Sequence, residues 1–111
     1  MKTVNGGTLD VDDDTVTSDV FQTSVGTSRL GLVVYVDSED AEAVVDIKLQ
    51  ASVVDEPSSW FDTALSDTGL TVGNNQVLAG TDDTIFDLWP HYRVELTTTD
   101  EVSVTYHVVN L

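Results

Sequence analysis

Alternation of apolar and polar residues constrains the fold of this 111-residue chain more than any other feature. In the segment RLGLVVYVDS, Leu30, Leu32, Val34 and Val36 occupy every second position. The same period runs through EAVVDIKLQAS, HYRVELTTT and EVSVTYHVVNL. Successive side chains of a β-strand point to opposite faces, so a period of two predicts strands with one buried face. β-Branched and aromatic residues are frequent in these segments, which also favours strands.

Further strands are predicted from shorter patterns, and the segments between them predict turns. A hairpin bend is expected at 98–101, in TTTDEVSV, and VDSEDAEA is expected to join the two middle strands in the same way. Glycine and asparagine in Gly69–Gly80 predict an exposed loop. The shorter strands are predicted at Thr3–Val4, Gly7–Val11, Asp14–Thr23 and Thr84–Trp89, with bridging strands near Ser59–Asp62 and Gln76–Leu78.

The absence of a sustained 3.6-residue apolar period argues against helices beyond a single turn in EPSSWFDTAL. We therefore predict an all-β fold: a single β-sandwich or jelly-roll-like domain of about 7–8 antiparallel strands, because each sheet must bury one apolar face. The length suits one domain covering residues 1–111. Residues 1–11 are predicted as an extended N-terminal contact arm.

The charge is strongly one-sided, with 20 acidic residues against four basic ones and a formal net charge of −16. Such a field repels nucleic acid and anionic lipid, so we expect neither as a direct partner. The acids interrupt strand patterns along the whole chain, unlike the single charged block of a disordered tail. Molar salt shortens the Debye length to about 3 Å and removes most of the repulsion. The composition therefore indicates a surface adapted to high salt, as in proteins of halophilic archaea.

Several classes of site are disfavoured by the residues present. The chain has no cysteine, which excludes a disulfide framework and a thiol nucleophile. It has no G-x-S-x-G motif, and with 20 acids, chance carboxylate pairs are unavoidable. No stretch approaches the roughly 20 apolar residues of a membrane span. We expect a protein without enzymatic activity, without a cofactor and without a membrane partner.

The densest acidic segment, TLDVDDDTVTSD, raises the question of a calcium loop. Asp10, Asp12 and Asp14 alternate, but a loop starting at Asp10 has Thr15 where an EF-hand needs glycine and Phe21 where it needs glutamate. Alternate residues on an extended strand are expected to share one face and to lie roughly 6.5–7 Å apart, which is too far for one segment to wrap a cation. The three aspartates are therefore weak metal candidates, and the favoured interpretation is a solvated, charged strand edge that resists unwanted pairing.

Aromatic and basic residues supply the candidates for an interface or ligand site. Trp60 and Trp89 either plug the ends of the sandwich core or form a platform on which a sugar stacks. Arg29 and Arg93 belong to a very small set of cations and are expected to pair with aspartates, within the fold or across a subunit contact. The exposed loop adds Asn74 and Asn75 to the candidates.

Three segments resemble small β-sandwich virion proteins of tailed viruses. They are VDIKLQAS (Val45–Ser52), SSWFD (Ser58–Asp62) and HYRVELTTTDEVSVTYHVV (His91–Val109). Proteins of that kind often run from a strand through an exposed tryptophan turn and a long loop to a Tyr-x-Arg-Val-x-Leu strand and a closing hairpin. Here Tyr92 directly precedes Arg93, without the extra residue, and none of the segments is a diagnostic motif. The resemblance implies a virion structural role and no catalytic residues.

The function expected from these observations is that of a non-enzymatic structural protein in the particle of a halophilic archaeal virus. It would act in capsid decoration, as a turret or as a tail connector, with copies of itself and other virion proteins, such as the major capsid or tail proteins, as partners. The alternative is a β-sandwich module that binds carbohydrate or a cell surface, as in a spike or adhesin. A small hydrolase is a third, less favoured class.

Overall fold

The computed structural model describes residues 2–22, 30–52, 59–78 and 91–110. These residues form one antiparallel sheet of six strands and contain no helix. The strands are β1 (Lys2–Thr17), β2 (Leu30–Asp37), β3 (Val44–Ser52), β4 (Phe61–Thr71), β5 (Gly73–Leu78) and β6 (His91–Asn110).

The sheet is organised around β6, whose 20 residues form one continuous strand. β1 pairs with one edge of β6 along nearly its whole length, from Lys2 opposite Asn110 to Thr17 opposite Glu95. The other edge of β6 is shared end to end by β2, which pairs with residues 103–110, and β3, which pairs with residues 91–97. β5 and β4 continue the sheet on the outer edges of β2 and β3. The sheet is therefore four lines of chain wide. The first line is β1 and the second is β6; the third is β2 and β3 placed end to end, and the fourth is β5 and β4 placed end to end.

At one level of the sheet the regular strand pairing is interrupted in all four lines, and this level divides the sheet into two halves. Half I contains β2, β5, residues 2–12 of β1 and residues 101–110 of β6. Half II contains β3, β4, residues 14–17 of β1 and residues 91–98 of β6. Between β1 and β6 the interruption is a bulge in which Thr99 and Asp100 lie opposite the single residue Asp13, whose φ of 48° lies in the left-handed region. Bulges increase local twist and bend a strand, so a long sheet can fold onto itself here.

Hydrogen bonds fix the β2–β3 connection to the bend of β6. Ser38 Oγ donates to the carbonyl oxygen of Glu101 at 2.8 Å, and Thr98 Oγ1 donates to that of Val44 at 2.7 Å. The backbone N–H of Val44 donates to Asp100 Oδ2 at 3.2 Å. These side chains satisfy backbone groups that lose their ladder partners where the strands are interrupted.

The predicted alternation is confirmed as the pattern of burial. The apolar residues of β2, β3 and β6 that occupy every second position are buried, and the two halves contribute to one core cluster. Each buried Leu, Ile or Val side chain stabilises the fold by about 1.5–3 kcal/mol. The largest fully buried side chains are Tyr92, Leu30, Leu32, Ile47, Leu49, Leu65 and Leu96.

The all-β antiparallel fold class is therefore confirmed, and the described strands all belong to a single curled sheet. Six strands occur in the described residues because neighbouring predicted strands merge into longer ones. Thr3–Val4 and Gly7–Val11 lie within β1, and so does Asp14–Thr23 as far as Thr17. The segment 84–89 lies outside the described residues.

Three predicted turns or loops are wrong. Residues 98–101 are a bend inside β6, not a hairpin, because β1 pairs with β6 both before and after the bend. β2 and β3 are not paired with each other, since β6 pairs with both. As far as Leu78, the expected loop Gly69–Gly80 belongs to β4 and β5, apart from Val72 between them. The predicted N-terminal arm, from Lys2 onward, is paired with β6 as part of β1.

Candidate functional site

The outward side of half I carries an acid-free face that spans four strands. Its members lie in two cross-strand rows, one through Thr105 of β6 and one through His107. The rows contain no Asp, Glu, Lys or Arg, in a chain with 20 acids. The acid-free face consists of Gly6, Thr8, Val33, Tyr35, Asn74, Gln76, Thr105 and His107.

Tyr35 is the most prominent side chain of the acid-free face. It is 46% exposed, and with Val44 it is one of two large apolar side chains exposed in the described residues. Beside it, the hydroxyls of Thr8 and Thr105 are hydrogen-bonded to each other at 3.0 Å. A Cβ at Gly6 would lie 2.8 Å from His107 Nδ1, so glycine allows His107 to lie against β1. The face carries no carboxylate, lysine or arginine and is built on paired backbone, which suits contact with another surface.

The acid-free face ends abruptly at an acidic groove beside the bend. The groove encloses about 680 Å³ and is lined by β1, β6 and the β2–β3 connection. Within the described residues, no group of three His, Asp or Glu side chains is arranged to hold a metal ion. The acidic lining residues are Asp10, Asp12, Asp37, Glu39, Asp40, Asp100 and Glu101.

The bulge separates the three weak metal candidates. Asp10 and Asp12 line the groove, opposite Ser103 and Glu101. Asp14 lies beyond the bulge, opposite Thr98, and its Oδ1 accepts a hydrogen bond from the backbone N–H of Thr15 at 2.7 Å. The expectation that all three share one strand face is wrong, because the left-handed backbone at Asp13 interrupts the alternation. Asp14 is paired with the buried Thr98, whereas Asp12 is paired with the exposed Glu101.

A polar cluster lies on the outward side of half II and contains both Lys or Arg side chains that the structure describes. Lys48 Nζ lies 3.2 Å from Asp62 Oδ2 and 3.3 Å from Glu95 Oε1. Hydrogen bonds from Gln50 and Lys48 hold the pKa of the Asp62 carboxyl below its usual value. The hydrogen bond to Asp62 raises the pKa of Lys48, and Glu95 adds to this, while desolvation opposes it.

Arg93 is held by a different set of contacts in the same cluster. Its Nε donates to Gln50 Oε1 at 2.7 Å, and its Cζ lies 4.5 Å from the centroid of the Trp60 ring. Gln50 is 7% exposed and its Nε2 donates to Asp62 Oδ1 at 3.0 Å, so both ends of its amide are used. Neither ion pair found in the described residues involves Arg93.

These contacts bear on the aromatic, basic and asparagine residues that the sequence offered as interface or ligand candidates. Within the described residues Arg93 contacts a glutamine and a tryptophan and no aspartate, and its expected pairing with an aspartate elsewhere in the fold or across a subunit contact stays a prediction. Trp60 is half-buried, and its stacking on Arg93 uses one face of the ring that a sugar would need. Arg29 and Trp89 lie outside the described residues. Asn74 is exposed on β5, whereas Asn75 Nδ2 donates to the carbonyl oxygen of Thr71 at 2.8 Å.

Sequence reasoning missed the acid-free face and the role of Gln50. The members of the face are spread over four strands, and their common property becomes visible only when the strand register is known. A signal did exist in the C-terminal segment, where Ser103, Thr105 and His107 form an outward row without an acid. Nothing in the sequence around Gln50 distinguishes it from an ordinary surface glutamine.

Comparison with known proteins yields no assignment: no family model matches the chain, and no curated protein matches it significantly. Among the described residues, no helix is long and apolar enough to cross a membrane.

Proposed function

We propose that this chain is a non-enzymatic structural subunit of a halophilic archaeal virus particle, where it assembles with copies of itself and with capsid or tail neighbours. The single observation that supports assembly is the acid-free face, eight outward positions without a charged carboxylate on a surface that is otherwise densely acidic. Its place in a virus particle follows the resemblance of the strand and tryptophan segments and the high-salt composition.

The physical argument concerns what two copies of this chain experience when they approach. Each carries a formal net charge of −16, so contact through an acidic surface is opposed by repulsion and by desolvation of carboxylates. The acid-free face avoids both costs. Apolar burial and neutral hydrogen bonds also persist in molar salt, where exposed ion pairs are screened. The face therefore offers the chain a contact that works under the conditions for which its surface is suited.

The test is a matched pair of substitutions at the two exposed large apolar residues. Tyr35→Glu places a carboxylate in the acid-free face, and Val44→Glu places the same group on an exposed position of β3 outside it. We expect the wild-type protein to self-associate in molar KCl, Tyr35→Glu to weaken the association constant about tenfold or more, and Val44→Glu to leave it nearly unchanged. Sedimentation velocity measures association, and circular dichroism confirms folding of both variants.

A wild-type chain that remains monomeric in molar KCl at high protein concentration, and does not bind to shells or tails of purified particles, would contradict the proposal. Equal loss of association in both variants would show that total charge, and not the acid-free face, controls assembly. The virus-particle assignment is tested separately, by mass spectrometry of density-purified particles for the chain at a fixed ratio to the major capsid protein.

A further inference from the structure

Arg93 has hydrogen-bond donors that no neighbour in the described residues uses. A guanidinium has five N–H donors in a rigid plane, and it binds a carboxylate most strongly through two parallel hydrogen bonds. In the described residues Arg93 uses Nε, on Gln50, and its Cζ lies over the Trp60 ring. No hydrogen bond or ion pair formed within those residues uses its two terminal nitrogens.

This guanidinium is nevertheless held by two contacts. Gln50 is buried and is itself held by Asp62 at 3.0 Å, so its carbonyl oxygen is directed at Arg93 Nε. Trp60 adds a second contact, with 4.5 Å between Cζ and the ring centroid. An arginine that is already ordered loses little side-chain entropy when it binds, which increases the affinity of its free edge.

The charges nearby indicate which anion this edge accepts. Lys48, the other cation of the cluster, is engaged with both Asp62 and Glu95, at 3.2 and 3.3 Å. The formal charges of these three groups and Arg93 sum to zero, so the cluster itself does not repel one further negative charge. A polyanion such as nucleic acid would meet the repulsion of a chain with a net charge of −16. A carboxylate fits both the charge and the planar, two-pronged geometry.

We infer that the terminal nitrogens of Arg93 form a binding site for a carboxylate supplied from outside the described fold, most readily by an acidic side chain of a second copy of this chain. Fifteen acidic residues lie in the described segments and two of them, Asp62 and Glu95, form ion pairs there, which leaves 13 carboxylates on each copy. Carboxylate binding is independent of the proposed function, whereas its supply by a second copy rests on that proposal.

The first arm of the test measures self-association in molar KCl by sedimentation velocity. Arg93→Gln and Arg93→Lys are each expected to lower the association constant about tenfold, because salt screens a contact of the half-buried Arg93 less than an exposed ion pair, and lysine cannot provide the two-pronged geometry. The matched control is Lys48→Gln, which removes a cation of the same cluster whose charge is already neutralised within the chain; it is expected to change association less than threefold.

The second arm asks whether a free carboxylate occupies the site. The probe is sodium glucuronate, with glucose as its uncharged counterpart, and the readout is the NMR signals of Arg93 Nε–H and the Trp60 indole N–H at the lowest salt that keeps the chain folded. Saturable shifts with glucuronate, absent with glucose and in Arg93→Lys, support a carboxylate site.

The two arms separate the possible failures. A wild-type chain that does not associate contradicts assembly by copies, and the glucuronate titration then decides the carboxylate site alone. Association that is equally strong in Arg93→Gln, together with no glucuronate shift, would overturn the inference while leaving assembly through the acid-free face intact. Loss of association in Arg93→Gln, without a glucuronate shift in the wild type, supports the second copy as the source of the carboxylate.

Discussion

At the scale of single residues, neutral side chains position the few charged ones that are paired. Gln50 lies between Arg93 and Asp62 in the strand register and bonds to both, as acceptor for one and donor to the other. A carboxylate in the same place would pair with Arg93 but repel Asp62. The amide therefore connects an arginine and an aspartate without adding charge to a surface that is already strongly negative.

The paired state of Asp62 predicts a pH dependence. Its folded-state pKa lies below the ordinary value of 3.8, so the ionised group stabilises the fold above that pH, and the contribution is lost as the pH falls through the lowered folded-state pKa. Asp62→Asn should lower the free energy of unfolding near neutral pH by about 1 kcal/mol or less, because the Asp62 side chain is 55% exposed and the pair is screened. The difference should shrink below about pH 3.8.

Urea unfolding of both proteins between pH 2 and 7 measures this difference, and the other acids cancel in the comparison. Repeating it in a Lys48→Met background isolates the contribution of the ion pair. A difference between wild type and Asp62→Asn that grows as the pH falls has the opposite sign and would contradict the assignment.

At the scale of elements, the decisive feature is that long strands bend and do not end. β6 continues through Thr98 and Asp100, because side chains there take over the hydrogen bonds that the interrupted ladder loses. Thr98 is 6% exposed; its Oγ1 donates to the Val44 carbonyl oxygen and accepts from the backbone N–H of Asp100 at 3.1 Å. The bend is thus maintained by specific polar contacts as well as by packing.

Replacing the hydroxyl of Thr98 should therefore weaken the whole fold. Thr98→Val keeps the shape and the preference for strands, but leaves a carbonyl oxygen and an N–H without their partner, at a cost of about 1–3 kcal/mol. Urea unfolding in molar KCl measures the loss. Thr99→Val is the matched control, since Thr99 is exposed and makes no side-chain hydrogen bond with the described residues. Equal stability of the two variants would show that the bend does not depend on Thr98.

At the scale of the whole molecule, the acids are concentrated away from the core and from the acid-free face. Seven of them line one groove beside the bend. At about 0.1 M salt the Debye length is about 10 Å, so these carboxylates repel one another across the groove, whereas at 1 M it is about 3 Å. The compact state brings them together, and the unfolded chain separates them.

The melting temperature is consequently expected to rise as KCl increases from about 0.1 M to about 1 M, where the repulsion is largely screened. The triple variant Asp10→Asn, Asp12→Asn, Asp37→Asn reduces the formal net charge from −16 to −13 and removes three charges from the groove. It should melt higher than the wild type at low salt and show a weaker salt dependence. Differential scanning calorimetry measures how steeply the melting temperature of each protein rises with KCl. An identical rise in both proteins would exclude repulsion in the groove as the cause of the salt dependence.

The sequence by itself determined that β2, β3 and both halves of β6 are strands and which of their faces are buried, because the alternation of side chains is a local property of extended backbone. It also determined the one-sided charge. It did not determine the strands in 69–78, where glycine and asparagine gave the pattern of a loop. The tertiary structure decided the rest. Whether two alternating segments form a hairpin or one bent strand, as in 91–110, depends on partners far away in the chain. The acid-free face and the Gln50–Arg93–Trp60 contacts likewise arise when register places residues of different strands side by side, and register is set by pairing across the sheet, which no local pattern specifies.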